Sequence, residues 1–343
     1  MGEQIKIFGA ALDALPSIER VNLKQAYLHH VRNRTFIEEG FEDPYDFVKG
    51  VTEQEVLNHN IKWLGKISIP SWLTPKPQES DSSRLSVSNL DKFLESDGCW
   101  DYAVMVADYI RRRICPGIPV MIGVDHSLTG GSIMALTRRH PHLNVVILDA
   151  HFDVTNPERG DGAGCQMNYY GCGNFLDRLL KREIIPPENL WIIGVQDEIR
   201  REVMGKRDLG GRLDRSAASV KKWMEKGVHV AFKQEVQSGH FKLDLKGPTY
   251  LSIDMDVGSM SSIYSARFMN SYGLNTAEFL QLLHKVFQCI HSSRHPLIGL
   301  DVMEFDVHFV EAIKEKKVDD RTEEIVKAIF KLFIDKNGCN DAS

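Results

Sequence analysis

The sequence predicts an α/β protein built on a parallel sheet with helices on both faces. Two observations carry that reading. Short runs that are almost purely apolar, such as PVMIGV (119–124), LWIIGV (190–195) and PLIGLDVMEF (296–305), alternate with longer stretches of helical period. Strands without a polar face belong to sheets covered on both sides. Acids and histidines cluster at the ends of those runs, where open parallel sheets build their sites.

In chain order, residues 5–8 read as a first strand. Asp43, a capping residue, and Pro44, a first-turn residue, predict a helix over 44–66. The proline- and serine-rich stretch 67–88 predicts a loop or lid. An amphipathic helix is expected over 89–115, broken at Gly98. Then follow strand 119–124, helix 130–140, strand 143–150, helix 174–182, strand 190–195, helix 219–227 and strand 228–232. Strand 249–257, helix 276–292, strand 296–305 and helix 320–335 complete the series. The polar, glycine-rich stretch 204–218 reads as an exposed loop. No repeat or linker interrupts the pattern, so residues 1–343 are expected to form a single domain.

Composition narrows the function. A chain of 343 residues, 43% hydrophobic and 26% charged, has the length and apolar content for a sizeable core. A formal net charge of −5 gives no nucleic-acid signature. No apolar run approaches the roughly 18 residues of a membrane span. The opening MGEQIKIFGA lacks the apolar region of a secretion signal, so a cytoplasmic location and no membrane partner are expected. The six cysteines are scattered without a C-x-x-C pair, which predicts reduced thiols.

The stretch ILDAHFDV (147–154) carries the chemistry. In an extended strand Asp149, His151 and Asp153 would share one face. Asp254 and Asp256 have the same spacing; Asp125 and His126 follow another apolar run, and Glu304 a fourth. Converging carboxylates are costly unless a positive charge sits between them. Asp149, Asp153, Asp254 and Asp256, with His126 and His151, match two divalent cations. Oxygen-rich ligation with some imidazole suits Mn2+ rather than thiolate-bound zinc. Two such ions sharing a water can generate hydroxide near neutral pH.

GVDHS (123–127), DAHFD (149–153), SIDMD (252–256) and GLDVME (299–304) together make the sequence resemble the ureohydrolase family of arginases, agmatinases and formimidoylglutamases. The resemblance implies a three-layer α/β/α fold on a parallel, roughly eight-stranded sheet. It implies two Mn2+ ions per chain, one held by His126, Asp149, Asp153 and Asp254. The other falls to Asp149, His151, Asp254 and Asp256, with Asp149 and Asp254 bridging. Asp153 and Glu304 would serve catalysis, Glu304 by facing the substrate's guanidinium with two parallel hydrogen bonds. Asp197, in GVQDE, matches an acid that arginases place near the substrate's α-amino group.

Departures from the family shape the substrate expectation. Asn168 stands where arginases and agmatinases carry a proton-shuttling histidine, and asparagine cannot titrate. The turn that grips the α-carboxylate of free arginine is not recognisable, and the usual Gly/Arg-rich entrance loop is missing. These features point to arginine within a precursor peptide, converted to ornithine with release of urea. Agmatine, free arginine and formimidoylglutamate are the small-molecule alternatives. The last would require an arginine in the pocket; Arg159 and Arg267 are candidates, although each reads as a surface residue. A metal-binding protein without catalysis is the alternative from another class. Family members commonly form trimers or hexamers, so a homo-oligomer is expected.

Overall fold

Eight strands lie parallel in one sheet: β1 (Ile5–Ala10), β2 (Ile61–Lys66), β3 (Ile118–Gly123), β4 (Asn144–Leu148), β5 (Leu190–Val195), β6 (His229–Phe232), β7 (Thr249–Asp254) and β8 (Leu297–Met303). They belong to a computed structural model that describes residues 3–33, 43–57, 59–154, 169–197, 213–306 and 319–338, with backbone only for 213–217 and 336–338. The order across the sheet is β2-β1-β3-β8-β7-β4-β5-β6. β3, β4, β5, β7 and β8 are buried at every position, which is why they read as unbroken apolar runs.

The helices are α1 (Ile18–Asn33), α2 (Pro44–Val56), α3 (Val87–Glu95), α4 (Gly98–Tyr109), α5 (Thr129–Thr137), α6 (Phe175–Lys181), α7 (Leu213–Glu225), α8 (Lys233–Gln237), α9 (Thr276–Ser292) and α10 (Thr322–Gly338). Strand alternation divides the core between them. Val120, Ile122, Val146, Leu148, Leu251 and Ile253 join one cluster with Val48 of α2, Phe279 of α9 and Ile325 of α10. Met121, Val145, Ile147, Ile192 and Tyr250 join the other with Val106 of α4, Ile133 of α5 and Phe175 of α6. The result is the expected three-layer α/β/α arrangement.

Several local expectations are corrected. The span 44–66 is a helix to Val56 followed by an edge strand, β2, paired with β1. Asp43 caps the helix through Tyr45 N–H at 2.9 Å, as expected. The strand IKWLGK is only partly buried and carries lysines at its second and last positions, so its period is blurred. The span 89–115 divides at Asp97, which adopts φ 60°, and ends in a π turn over Ile110–Ile114. Residues 213–218 of the expected loop 204–218 are helical, and 204–212 lie outside the described residues. Stretch 67–88 holds two short 3₁₀ turns, with Leu73 and Leu85 buried.

Helix α1 has no counterpart in the sequence expectation, and its packing says why. Its buried residues are Arg20, Val21, Lys24 and Leu28. Arg20, Lys24 and Leu28 form a row four residues apart, but two of the three are cations. An apolar period is therefore missing, and the row is held by charge instead. Arg20 Nε lies 2.6 Å from Asp13 Oδ2, and its Nη1 pairs with Asp306. Lys24 Nζ donates to the Asp13 carbonyl at 2.6 Å.

Strands β3, β8, β7 and β4 are adjacent at the centre of the sheet. The chain passes from β3 to β4 and only later fills the gap with β7 and β8. All four motif-bearing strand ends thereby stand side by side along the carboxyl edge, at a switch in strand order. Among the described residues no helix is long and apolar enough to cross a membrane. Among the described residues Cys99, Cys115, Cys172 and Cys289 are unpaired with one another.

A candidate two-cation centre at the carboxyl edge of the sheet

Three strand ends use the same turn. Asp125 Oδ1 accepts from Ser127 N–H at 3.1 Å, Asp149 Oδ1 from His151 N–H at 2.6 Å, and Asp254 Oδ1 from Asp256 N–H at 2.8 Å. An aspartate that caps the N–H two residues on bends the chain sharply. This corrects the extended-strand expectation for Asp149, His151 and Asp153. β4 stops at Leu148, and Asp153 adopts φ 47°. Asp256 likewise sits in a 3₁₀ turn, Met255–Val257, rather than in β7. The side chains converge because of the turns, not because of strand alternation.

His126 Nδ1 lies 2.9 Å from Asp254 Oδ2, 3.0 Å from Asp153 Oδ2 and 3.4 Å from Asp149 Oδ2. His151 Nδ1 lies 3.1 Å from Asp256 Oδ2 and 3.5 Å from Asp149 Oδ1. Donor atoms of His126, Asp149, Asp153 and Asp254 all fall within 4.8 Å of one another, as do those of Asp149, His151 and Asp256. Asp149 belongs to both groups. Asp254 belongs to the first only, whereas the resemblance shared it between two ions. The aspartates and His126 are buried, and the His151 side chain is 32% exposed, so solvent meets the cluster on that side.

The donors fit a pair of cations. His126 Nδ1, Asp149 Oδ2 and both carboxylate oxygens of Asp256 are buried without a hydrogen-bond partner. Each such atom costs about 1–3 kcal/mol unless something compensates it. Both rings are also fixed from behind. His126 Nε2 meets Ser252 Oγ at 2.9 Å, and His151 Nε2 meets Tyr272 Oη at 2.9 Å. Such partners hold a ring with its other nitrogen toward a metal. Ser252 could have been found in the sequence, since it stands two residues before Asp254 within SIDMD. Tyr272 carried no such signal.

The electrostatics agree. Burial alone would lower the His126 pKa, but Asp149, Asp153 and Asp254 together hold it well above the usual imidazole range. Burial, then Asp256 and Asp149, hold His151 and Asp254 apart in kind: His151 is driven up by its acids against burial, while Asp254 is driven up by burial and by neighbouring charge. Burial and the Asp149 charge push Asp153 up to about 7. Asp149 goes the other way: burial opposes its charge, but the imidazoles of His126 and His151 beside it hold its carboxyl below the usual range. Protons thus neutralise part of the cluster, and a bound cation would release them.

Glu304 follows β8 with φ 51°, and its carboxylate is buried. Its Oε1 accepts from His126 N–H at 2.9 Å. Burial raises its pKa to about 8, with Arg267 pulling down and Asp125 pushing up. Arg267 Nη1 lies 3.3 Å from Glu304 Oε1, 3.4 Å from Oε2 and 3.1 Å from Asp125 Oδ2. Its Nε lies 3.3 Å from Asp13 Oδ1. Arg267 was expected at the surface; its side chain is 0% exposed, drawn inward by three carboxylates. Asp197 stands apart just beyond β5, half-buried, accepting from Gln234 N–H at 3.2 Å. Asn168 and Arg159 lie outside the described residues.

With fold and site in view, comparison places the chain among known proteins. It is 24% identical over 203 residues to an arginase from Staphylococcus aureus (strain MSSA476), covering 54% of this chain and 67% of that protein. The solved arginase from Bacillus caldovelox superposes with a TM-score of 0.57 at 18% identity, covering 96% of this chain and 98% of the other. The Trypanosoma cruzi formiminoglutamase structure with Mn2+ gives a TM-score of 0.57 at 15% identity, covering 97% and 92%. The sequence model of the arginase family matches residues 42–319. The chain therefore belongs to the arginase family, metal-dependent hydrolases that act on guanidino and amidino groups.

Proposed function

We propose that the chain is a two-metal hydrolase that cleaves the C–N bond of a guanidinium, releasing urea and an amine. The observation that carries this reading is the sharing of Asp149 between two buried carboxylate–imidazole groups. His126, Asp149, Asp153 and Asp254 would hold one cation; Asp149, His151 and Asp256 would hold the other. Manganese is the proposed ion, because the donors are oxygens and imidazole nitrogens and because a formiminoglutamase of the same fold was solved with Mn2+. When bound, two divalent cations would supply an activated water near neutral pH.

The chain's own groups do the rest. Asp153 would orient the attacking water, take up its proton and pass it to the leaving amine nitrogen as the C–N bond breaks. Ser252 and Tyr272 hold the two imidazoles in register. Phe175 packs against the His126 ring at 4.8 Å between centroids and keeps bulk water from that side. The Glu304 carboxylate is the group proposed to receive the substrate's guanidinium fork, with Asp197 nearer the far end of the substrate. The proposed substrate is an arginine within a peptide, converted to ornithine; the sequence lacks a recognisable grip for a free α-carboxylate.

Manganese-loaded protein incubated separately with an internal-arginine peptide, free arginine, agmatine and formimidoylglutamate tests this reading. Urea and an ornithine-containing peptide are expected from the first. Turnover of a small molecule alone replaces the peptide substrate with that compound. Two bound metals with no turnover of any of the four would overturn the hydrolase reading in favour of a metal-binding protein.

A further inference from the structure

The carboxylate placed to read a substrate guanidinium already faces one supplied by the chain. Both oxygens of Glu304 lie within 3.4 Å of Arg267 Nη1. The loop bearing Arg267 is tied to the same strand end: Arg267 N–H donates to the Glu304 carbonyl at 2.8 Å, and Ala266 bridges Phe305. The internal guanidinium is therefore held beside Glu304 by its backbone as well as by charge.

The pairing is nonetheless a weak form of its kind. A guanidinium and a carboxylate pair best through two parallel N–H donors at about 2.7–2.9 Å. Here a single nitrogen serves both oxygens at 3.3 and 3.4 Å. Arg267 Nη2 and Nε are buried without a hydrogen-bond partner. The closest polar contact of the Arg267 side chain is with Asp125, at 3.1 Å. Beside Asp125 and Arg267 lies a cavity of about 50 Å³, lined also by Leu94, Tyr169 and Asn174. An Arg267 side chain displaced from Glu304 toward that space would keep Asp125 as its partner.

We propose that Arg267 is a specificity-determining residue: its guanidinium competes with the substrate's for Glu304. A small guanidinium must displace it using the fork contact alone. A larger substrate contributes binding energy from its remaining parts to the same exchange. This inference rests on the proposed guanidinium chemistry, and it sharpens the preference for arginine within a peptide.

The test is the binding of methylguanidinium to manganese-loaded protein, followed by calorimetry, so that it does not depend on turnover. Arg267→Gln frees Glu304 and should tighten binding by about tenfold. Glu304→Gln in the wild-type background should change binding by less than about twofold, because Arg267 already holds that carboxylate; in the Arg267→Gln background it should abolish the gain. Unchanged or weaker binding by Arg267→Gln overturns the proposal. So does a loss of about tenfold or more for Glu304→Gln alone, which would make Glu304 a free reader. If Arg267→Gln does not fold, Arg267→Lys keeps a cation for Asp13 and Asp125 on a shorter reach to Glu304; a smaller gain in the same direction is expected, because the ammonium still competes in part, and no gain at all is equally fatal. If the binding pattern holds while no substrate releases urea, the hydrolase reading fails and this one stands.

Discussion

At the ends of β4 and β7, four buried aspartates face one another across His126 and His151. Nearby, beyond the ends of β1 and β8, Asp13, Asp306 and Glu304 face Arg20, Lys24 and Arg267. Both regions concentrate buried carboxylates, but they are neutralised differently. The second region has its cations built into the chain: Arg20, Lys24 and Arg267 stand against Asp13, Asp306, Glu304 and the neighbouring Asp125. The first has only two imidazoles for four acids, and among the described residues no lysine or arginine of the chain pairs with them. Buried charge is tolerable only when matched. A region matched from within is structural; one left short of positive charge is shaped for a ligand that brings it. Glu304 touches both, accepting from His126 N–H on one side and facing Arg267 on the other.

The largest expected effect breaks the first region at its shared member. Asp149→Ala removes the donor common to both groups. Losing even a partner behind a ligand costs about 10–100-fold in metal affinity, so losing this ligand should cost more than about a hundredfold and remove nearly all hydrolysis. Metal content by mass spectrometry and urea release are the readouts. A variant that keeps two metals per chain and normal turnover would sink the two-cation assignment.

The second region is expected to fail in stability rather than in metal binding. Asp13 pairs with Arg20, Lys24 and Arg267, all of them buried. Asp13→Ala leaves those cations without their common acid, and breaking a buried pair in this way costs about 3–5 kcal/mol. Urea denaturation should show the loss, while the folded fraction still binds manganese. If metal binding fell and stability did not, the division between the two regions would be wrong.

How much of this was legible in the sequence depends on what holds each part. The central strands announced themselves because burial on both faces leaves only apolar residues, as in LWIIGV. The acids of DAHFD and SIDMD announced themselves by spacing, although capped turns rather than strand alternation bring them together. Helix α1 was invisible because its buried row includes Arg20 and Lys24, whose partners Asp13 and Asp306 are set by the fold. Arg267 read as a surface residue for the same reason: Asp125, 142 residues away, draws it inside. Local patterns report apolar burial well. They do not report which distant acid will neutralise a buried cation.

A smaller effect follows from protons standing in for cations. The Asp153 carboxyl, pushed up to about 7 by burial and the Asp149 charge, must be deprotonated before it serves as a ligand. Above pH 7 this group imposes no proton cost on metal binding; below it, manganese affinity should fall by about tenfold per pH unit for that one proton. In metal-free protein the raised folded-state pKa works in the opposite sense. Its stabilising contribution is present below the unfolded carboxylate pKa of about 4 and is lost as pH rises toward 7. Calorimetric titration with manganese at pH 6 and pH 8 should therefore show more protons released at the lower pH. Affinity independent of pH across that interval would remove Asp153 from the ligand set.

The smallest effects compare the two groups that hold the rings. Ser252 is wholly buried where it meets His126 Nε2, while Tyr272 is half-buried where it meets the partly exposed His151. Ser252→Ala leaves a buried ring nitrogen without a partner, which costs about 1–3 kcal/mol, and should weaken manganese binding by about tenfold or more. Tyr272→Phe removes the matching contact, but water can reach His151 and replace it. Its loss should stay at or below about tenfold, the lower end for partners of this kind. Titrating both variants with manganese under the same conditions gives the ranking directly. If Tyr272→Phe proved the more damaging, solvent would not be replacing the tyrosine hydroxyl. His151 would then be held as tightly as His126, and the side of the cluster through which solvent enters would have to lie elsewhere.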